Sequence, residues 1–368
     1  MRIGITGSAG FLGANLVNTL YRHRSPEEDI VCFYSRRRHN PLTDHLDLTY
    51  RHLDITSRQE VLEKTEGLDL LFHLAGMVDY SRRHARRTWD VNVLGTKNIF
   101  DGVIENRIPK LVYASSINVL GTCSRDCSPA GETNRTYGAA DNPISFADRT
   151  EALAAVEASN RGDYGFLRNF RVVYFDSKLA AYELALETHE KCGLPVTIVL
   201  PGTVVGQGDV GVSITGLVYR TFRGRLKLTL PGGTSFVSAE DAAEGIRLAS
   251  VRGRPGQAYI ITGREEDNLS YKDFMKHVAK VARIRYDQRV SDRFFTVPAS
   301  VCRPLATIFR HLPVEGPLSE ALILSGAATH RFSSKKAAEE LGYTHITSLE
   351  SAIESCIDFY LHHDPGET

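Results

Sequence analysis

Tyr174 and Lys178 stand four residues apart in the stretch Val172-Val173-Tyr174-Phe175-Asp176-Ser177-Lys178, which opens a run that reads as helix. Four residues along a helix return to the same face, so phenol and ammonium are neighbours. The chemistry open to such a pair is proton transfer. A free tyrosine has a pKa of about 10, too high for an efficient base near neutrality, and a nearby ammonium favours the phenolate. The competing reading is two surface side chains that share a face. Of the fifteen tyrosines, Tyr174 alone is followed by lysine four residues later.

A second pattern lies at the N-terminus. Gly7-Ser8-Ala9-Gly10-Phe11-Leu12-Gly13 follows the apolar run 2–6 and opens the helical pattern ANLVNTLYRH. Glycines between a strand and a helix let backbone N–H groups and the helix N-terminus approach a pyrophosphate. An NAD site usually places Asp or Glu at the end of the second strand, for the ribose hydroxyl. Here that position is Tyr34, followed by Ser35-Arg36-Arg37-Arg38. Guanidinium suits a 2′-phosphate, so NADP(H) is favoured over NAD(H).

The elements that must carry these residues read as strands alternating with helices. Strand candidates are 2–6, 29–34, 50–56 ending in Asp54, 68–76, 110–116 and 195–202; helices are expected over 89–106 and 174–192. Each strand is continuously apolar, which indicates a parallel sheet covered on both faces. The fold class is α/β: a Rossmann-type doubly wound parallel sheet over 1–202, with a smaller C-terminal substrate lobe over 203–368. Residues 234–263 supply a strand, a helix and another strand that return to the first domain, and 270–283 reads as a further helix. The stretch 284–332, with Pro298, Pro304, Pro313 and Pro317 among aromatics, reads as irregular.

Bulk composition narrows the class. Lys plus Arg and Asp plus Glu both count 44 in 368 residues, so no global charge points to nucleic acid or an acidic membrane surface. No run reaches the roughly 18–20 apolar residues of a membrane span. The six cysteines are dispersed. Cys123 and Cys127 alone lie close, and without clustered histidines they fall short of a zinc pattern, so no metal is expected. A cytoplasmic protein with reduced thiols is the simplest expectation.

The motifs TGSAGFLG, HLAG, DVNVLGT, YASSINVLG, YFDSK and LPGTVVG occur in the order found in extended short-chain dehydrogenases/reductases, which this sequence resembles over roughly 1–263. FSSKKAAEELGY (332–343) extends the likeness. Within that family the sequence looks most like the dihydroflavonol-reductase and 3β-hydroxysteroid-dehydrogenase branch. The resemblance implies that Gly7, Gly10, Phe11, Leu12 and Gly13 hold the pyrophosphate and that Arg36 approaches the adenosine phosphate. It puts Asp54 and Ile55 at the adenine, Leu74, Ala75 and Gly76 at the ribose side, and Asn92 as a brace. Pro201, Gly202, Thr203 and Val204 would lie near the nicotinamide. Ser116 would be the catalytic hydroxyl, with Ser115 its close competitor on the cofactor side, and Tyr174 and Lys178 would complete the set and meet the cofactor. In that scheme the cofactor carries hydride and the protein supplies orientation and the proton.

Three departures bear on substrate. Ile117 and Asn118 stand where nucleotide-sugar 4,6-dehydratases carry an acidic pair. Leu200 and Thr203 stand where sugar-nucleotide epimerases usually have Arg and Asn, and Thr234-Ser235-Phe236 lacks a further Arg. The expected activity is therefore NADPH-dependent reduction of a ketone on a mainly apolar or aromatic small metabolite. The alternatives are a nucleotide-sugar epimerase and a non-catalytic cofactor-binding regulator. Ser116 and Tyr174 are 58 positions apart, and the alanine-rich run within 122–170 looks inserted; it is expected to be a lid or wall, or else a peripheral excursion. The basic run SRRHARR (81–87) reads as a solvated helix face or an attractor for an anionic carrier. A homodimer is implied by the resemblance alone.

Overall fold

The structure, a computed structural model, describes residues 1–123, 129–134, 143–211, 215–310 and 320–363. Cys127 and parts of the insertion, with Pro313 and Pro317, lie outside them. The apolar runs of the first two hundred residues form β1 (Arg2–Thr6), β2 (Asp29–Tyr34), β3 (Thr49–His52), β4 (Leu70–His73), β5 (Leu111–Ala114) and β6 (Val196–Pro201). Beyond them come β7 (Thr203–Val205), β8 (Leu228–Thr229), β9 (Gly233–Ser238), β10 (Ala258–Ile261), β11 (Asn268–Ser270), β12 (Phe295–Thr296) and β13 (Thr329–His330).

The main sheet has the order β10-β6-β5-β4-β1-β2-β3, and every pairing in it is parallel. Parallel neighbours need crossovers, and helices on both faces supply them. These are α1 (Phe11–His23), α2 (Arg58–Thr65), α3 (Ala85–Trp89), α4 (Thr96–Glu105), α5 (Arg149–Asn160) and α6 (Val173–Cys192). The later helices are α7 (Thr215–Phe222), α8 (Ala239–Arg252), α9 (Tyr271–Tyr286), α10 (Ala299–Arg310), α11 (Glu320–Ala327), α12 (Lys335–Leu341) and α13 (Leu349–His362). Strand side chains alternate between the two faces. Leu71 joins Phe100 and Tyr182 under α4 and α6, whereas Phe72 joins Leu16 and Ile246 under α1 and α8. The chain reverses direction across the sheet between β1 and β4, and in open α/β sheets a ligand crevice opens at such a point.

Residues after β6 build a second layer. β9 pairs with β7, β11 and β13, and its Phe236 stacks on Phe274 of α9 at 4.0 Å between ring centroids. β13 is joined to the loop that follows β5. The Cys123 N–H donates to the Thr329 carbonyl at 2.8 Å, the Ala130 N–H to the Arg331 carbonyl at 3.0 Å, and His330 Nδ1 to the Gly121 carbonyl at 3.1 Å.

Several elements differ from expectation. The third strand stops at His52, because Asp54 turns its carboxylate onto the Thr56 N–H and hydroxyl at 2.9 and 2.7 Å. The helix expected from 89 begins at Ala85 and passes through a π-helical turn over Asp90–Gly95 that carries Asn92. The stretch 284–332 contains α10 and α11 despite its prolines. Pro298 precedes the first turn, where its carbonyl accepts from Val301, and Cys302 and Ala306 bury one face of α10 beside Ile323 of α11.

Asp176, buried in the first turn of α6, accepts the Ser145 N–H at 2.7 Å and the Ser145 hydroxyl at 2.8 Å. Burial pushes its carboxyl up to about 7 while the Ser145 bonds oppose the shift. A carboxyl whose folded pKa exceeds its unfolded value of about 4 holds its proton more tightly when folded. The stability this group supplies is full below the unfolded value, falls as pH rises to about 7, and is then level. Urea unfolding between pH 5 and 8 is expected to show that fall in the wild type and a flatter profile in Asp176→Asn.

Candidate active site

At the end of β1 the chain enters the glycine loop. Gly7 has φ +72°, a conformation costly for other residues, and a Cβ there would lie 2.7 Å from the Ala75 nitrogen. The Gly10 N–H closes the turn on the Gly7 carbonyl at 2.9 Å, and a Cβ on Gly13 would collide with that same carbonyl. Phe11 and Leu12 begin α1. The β4 side is equally constrained. The Leu74 N–H donates to the Thr6 carbonyl at 3.2 Å and the Ala75 N–H to the Thr6 hydroxyl at 3.2 Å. Between these backbones opens a cleft of about 820 Å³. Gly7, Arg36, Asp54, Ile55, Ala75 and Gly76 all line it. A site with no side chain at Gly7 and Gly13, at a topological switch point, with guanidinium at its rim, fits a dinucleotide.

Gly76 joins this cleft to a second group. A Cβ on Gly76 would lie 3.3 Å from Asn92 Oδ1 and 3.4 Å from Lys178 Nζ. Asn92 is buried and fully bonded: its Oδ1 accepts from the Met77 N–H at 2.7 Å, and its Nδ2 donates to the Met77 carbonyl and the Ser177 hydroxyl at 2.9 and 3.0 Å. Lys178 Nζ donates to the Ala114 carbonyl, at the end of β5, at 3.2 Å. The same end of β5 carries both serines. The Ser116 hydroxyl neighbours Tyr174 and accepts the Asn118 N–H at 3.2 Å, whereas the Ser115 hydroxyl neighbours Tyr113. Thr203 bonds Thr234 through their hydroxyls at 2.9 Å, and the Gly202 N–H donates to the Ile261 carbonyl at 2.9 Å. Pro201 to Val204 thus form the passage from β6 into β7, between the two sheets.

The electrostatics differ from the expectation for a lysine-lowered phenol. Burial pushes Tyr174 up to about 12, with Ser116 opposing the shift, and pushes Lys178 down to about 8. The lysine gives its hydrogen bond to Ala114 and not to the phenol, so desolvation dominates. At neutral pH the Tyr174 phenol carries its proton. His73 lies behind the group as a structural residue: Nδ1 and Nε2 bond the Thr6 and Thr96 hydroxyls at 2.8 and 3.0 Å, and burial then the Lys178 charge push it down to about 3.

Residues 4–161 match the model of the 3-beta hydroxysteroid dehydrogenase/isomerase family. A 3-beta-hydroxysteroid dehydrogenase of Mycolicibacterium neoaurum is 25% identical over 98% of this chain and 91% of its own length. By these matches the chain is similar to extended short-chain dehydrogenases/reductases. Its class is that of NAD(P)-dependent oxidoreductases. Another relative, sterol demethylase protein B of Methylococcus capsulatus, is 26% identical over 70% of this chain and 69% of its own. The solved structure of a dTDP-glucose 4,6-dehydratase from Bacillus anthracis, in complex with NAD, superposes with a TM-score of 0.69 at 16% identity, covering 100% of this chain and 98% of that one. At that identity the likeness concerns the fold.

The site also has residues that sequence reasoning missed. The Tyr80 ring lies 5.7 Å from that of Tyr174, and its phenol is hydrogen-bonded to Ser325 of α11. Two residues on, Arg82 pairs with Glu320 of the same helix at 2.9 Å. The C-terminal layer is thereby tied to the segment facing Tyr174. No spacing announces Tyr80; its place beyond HLAG was the one available signal. Among the described residues no helix is long and apolar enough to cross a membrane.

Gly13→Ala is expected to abolish dinucleotide binding, because the added methyl meets backbone that has no room to move. Titration of intrinsic fluorescence with NADPH checks this, alongside circular dichroism to show that the sheet persists.

Proposed function

We propose that this protein is an NADPH-dependent reductase of a ketone on a mainly apolar or aromatic small metabolite. The observation that carries the reading is the buried Ser116–Tyr174 neighbourhood, protonated at neutral pH and joined through Gly76 to the cleft at the β1–β4 switch point. Gly7, Gly10, Phe11, Leu12 and Gly13 hold the pyrophosphate of the dinucleotide, Asp54 and Ile55 its adenine, and Arg36 the 2′-phosphate. Leu74, Ala75 and Gly76 border the ribose, and Pro201 to Val204 border the nicotinamide. When bound, the nicotinamide supplies hydride to the carbonyl carbon.

The protein groups act on the oxygen. Ser116 donates a hydrogen bond to the substrate carbonyl and fixes its position. Tyr174 gives its phenolic proton to that oxygen, and its high pKa keeps the proton available until the oxygen becomes basic. Lys178 keeps a positive charge beside Gly76, where it steadies the nicotinamide ribose. Asn92, with all its hydrogen bonds made, holds Ser177 and hence the first turns of α6. Tyr80 and Phe175, whose rings lie 6.3 Å apart, give the substrate side an aromatic wall. The names of the two relatives above point to sterols and steroids as their substrates, which supports an apolar ketone here.

Tyr174→Phe is expected to lower turnover by about 10²–10⁴-fold while NADPH still binds. A rate near that of the wild type discards the assignment. For reduction, kcat/KM is expected to be level through neutral pH and to fall above about 8, as Lys178 loses its proton. KM values for NADPH and NADH decide the cofactor: a clear preference for NADH defeats the Arg36 argument.

A further inference from the structure

The described part of the inserted segment packs along α6 and then reaches α3. Phe166 and Phe170 meet the fully buried Trp89 with ring centroids 4.8 and 5.6 Å away. Arg149 of α5 pairs with Glu190 of α6 at 2.8 Å. Tyr164 extends that aromatic cluster, its ring stacked on Phe166 at 6.3 Å between centroids, and also lines the cleft at the switch point. Its hydroxyl donates to Asp90 Oδ1 at 2.6 Å, and the Arg86 guanidinium lies 4.4 Å from its ring centroid. Arg86 in turn pairs with Asp90 at 3.7 Å. Arg86 is therefore held between Asp90 and the Tyr164 ring.

Arg87 is not. Among the described residues it pairs with no carboxylate, it is exposed, and it lines the same cleft. Below it Val91 and Leu94 repeat at helical spacing along the wall, and Ile55 faces them from beyond β3. The cleft thus has an apolar floor, with guanidinium on both sides: Arg36 after β2 and Arg87 on α3. A flat, apolar-faced base carrying phosphate fits that arrangement, since guanidinium stacks on aromatic faces and bonds phosphate. We infer that Arg87 and Tyr164 form the outer wall of the adenosine end of the dinucleotide site. The inserted segment is then a cofactor-side element, and the basic run 81–87 is part of the site. This inference rests on the dinucleotide reading of the cleft.

The test is calorimetric titration of the full chain with 2′,5′-ADP and with 5′-AMP, without substrate. Arg87→Ala and Tyr164→Ala are each expected to weaken binding of both nucleotides about ten-fold, the loss of one stacking partner. Arg87→Ala, at an exposed site, should melt with the wild type, so it remains decisive even if Tyr164→Ala unfolds. 5′-AMP binding within about two-fold of wild type in Arg87→Ala overturns the wall. Should wild type bind 5′-AMP as tightly as 2′,5′-ADP while Arg87→Ala weakens both, the NADP preference fails and the wall stands.

Discussion

The backbones of β1 and β4 leave their sheet so close together that no side chain fits between Gly7 and Ala75. The rest of the site follows from that approach. Because the gap admits only backbone, the surrounding polar groups must be satisfied from beneath. Thr6 does this by accepting the Ala75 N–H while bonding His73, whose far nitrogen reaches Thr96 of α4. The His73 imidazole, driven neutral by burial, is thus a strut that ties two strands and a helix at the point where the sheet changes direction.

Burial sets the chemistry of the neighbouring group in the same way. Lys178 and Tyr174 are both forced towards their uncharged forms, the amine downward and the phenol upward. Two groups that repel charge from an apolar site are poised to respond to a ligand that brings charge or a polar oxygen into it. Asn92 sits on a π-helical turn, and the extra residue in that turn aims its amide at Met77 and Ser177 while α4 continues with ordinary helical geometry.

Much of this was legible in the sequence, and for physical reasons. Glycines that admit a close approach, apolar runs buried on both faces, and a Tyr–Lys pair at helical spacing each follow from local rules. Ser116 was singled out through the resemblance alone, because Ser115 and Ser116 are adjacent and the course of the chain after β5 sets which one neighbours Tyr174. Tyr80 was not legible, since it acquires its place from α11, some two hundred and forty residues later in the chain. The place of Tyr164 on the cleft had no local signal, because the docking of Phe166 and Phe170 on Trp89 that brings its segment there is a tertiary event. The helix α10 was hidden by its prolines, since propensity rules weigh Pro304 without knowing that one face of α10 is buried against α11.

The junction of β13 with the loop after β5 has a temporal meaning. Gly121, Cys123 and Ala130 receive their partners from residues 329–333, so the turn that begins at Ser116 is completed by chain synthesised about two hundred residues later. Domains form from the N-terminus as the ribosome proceeds. A nascent chain released short of residue 320 would therefore possess the glycine loop and the Tyr–Lys helix yet lack the strand that finishes the serine turn. The last strand is thus the piece whose arrival closes the loop after β5.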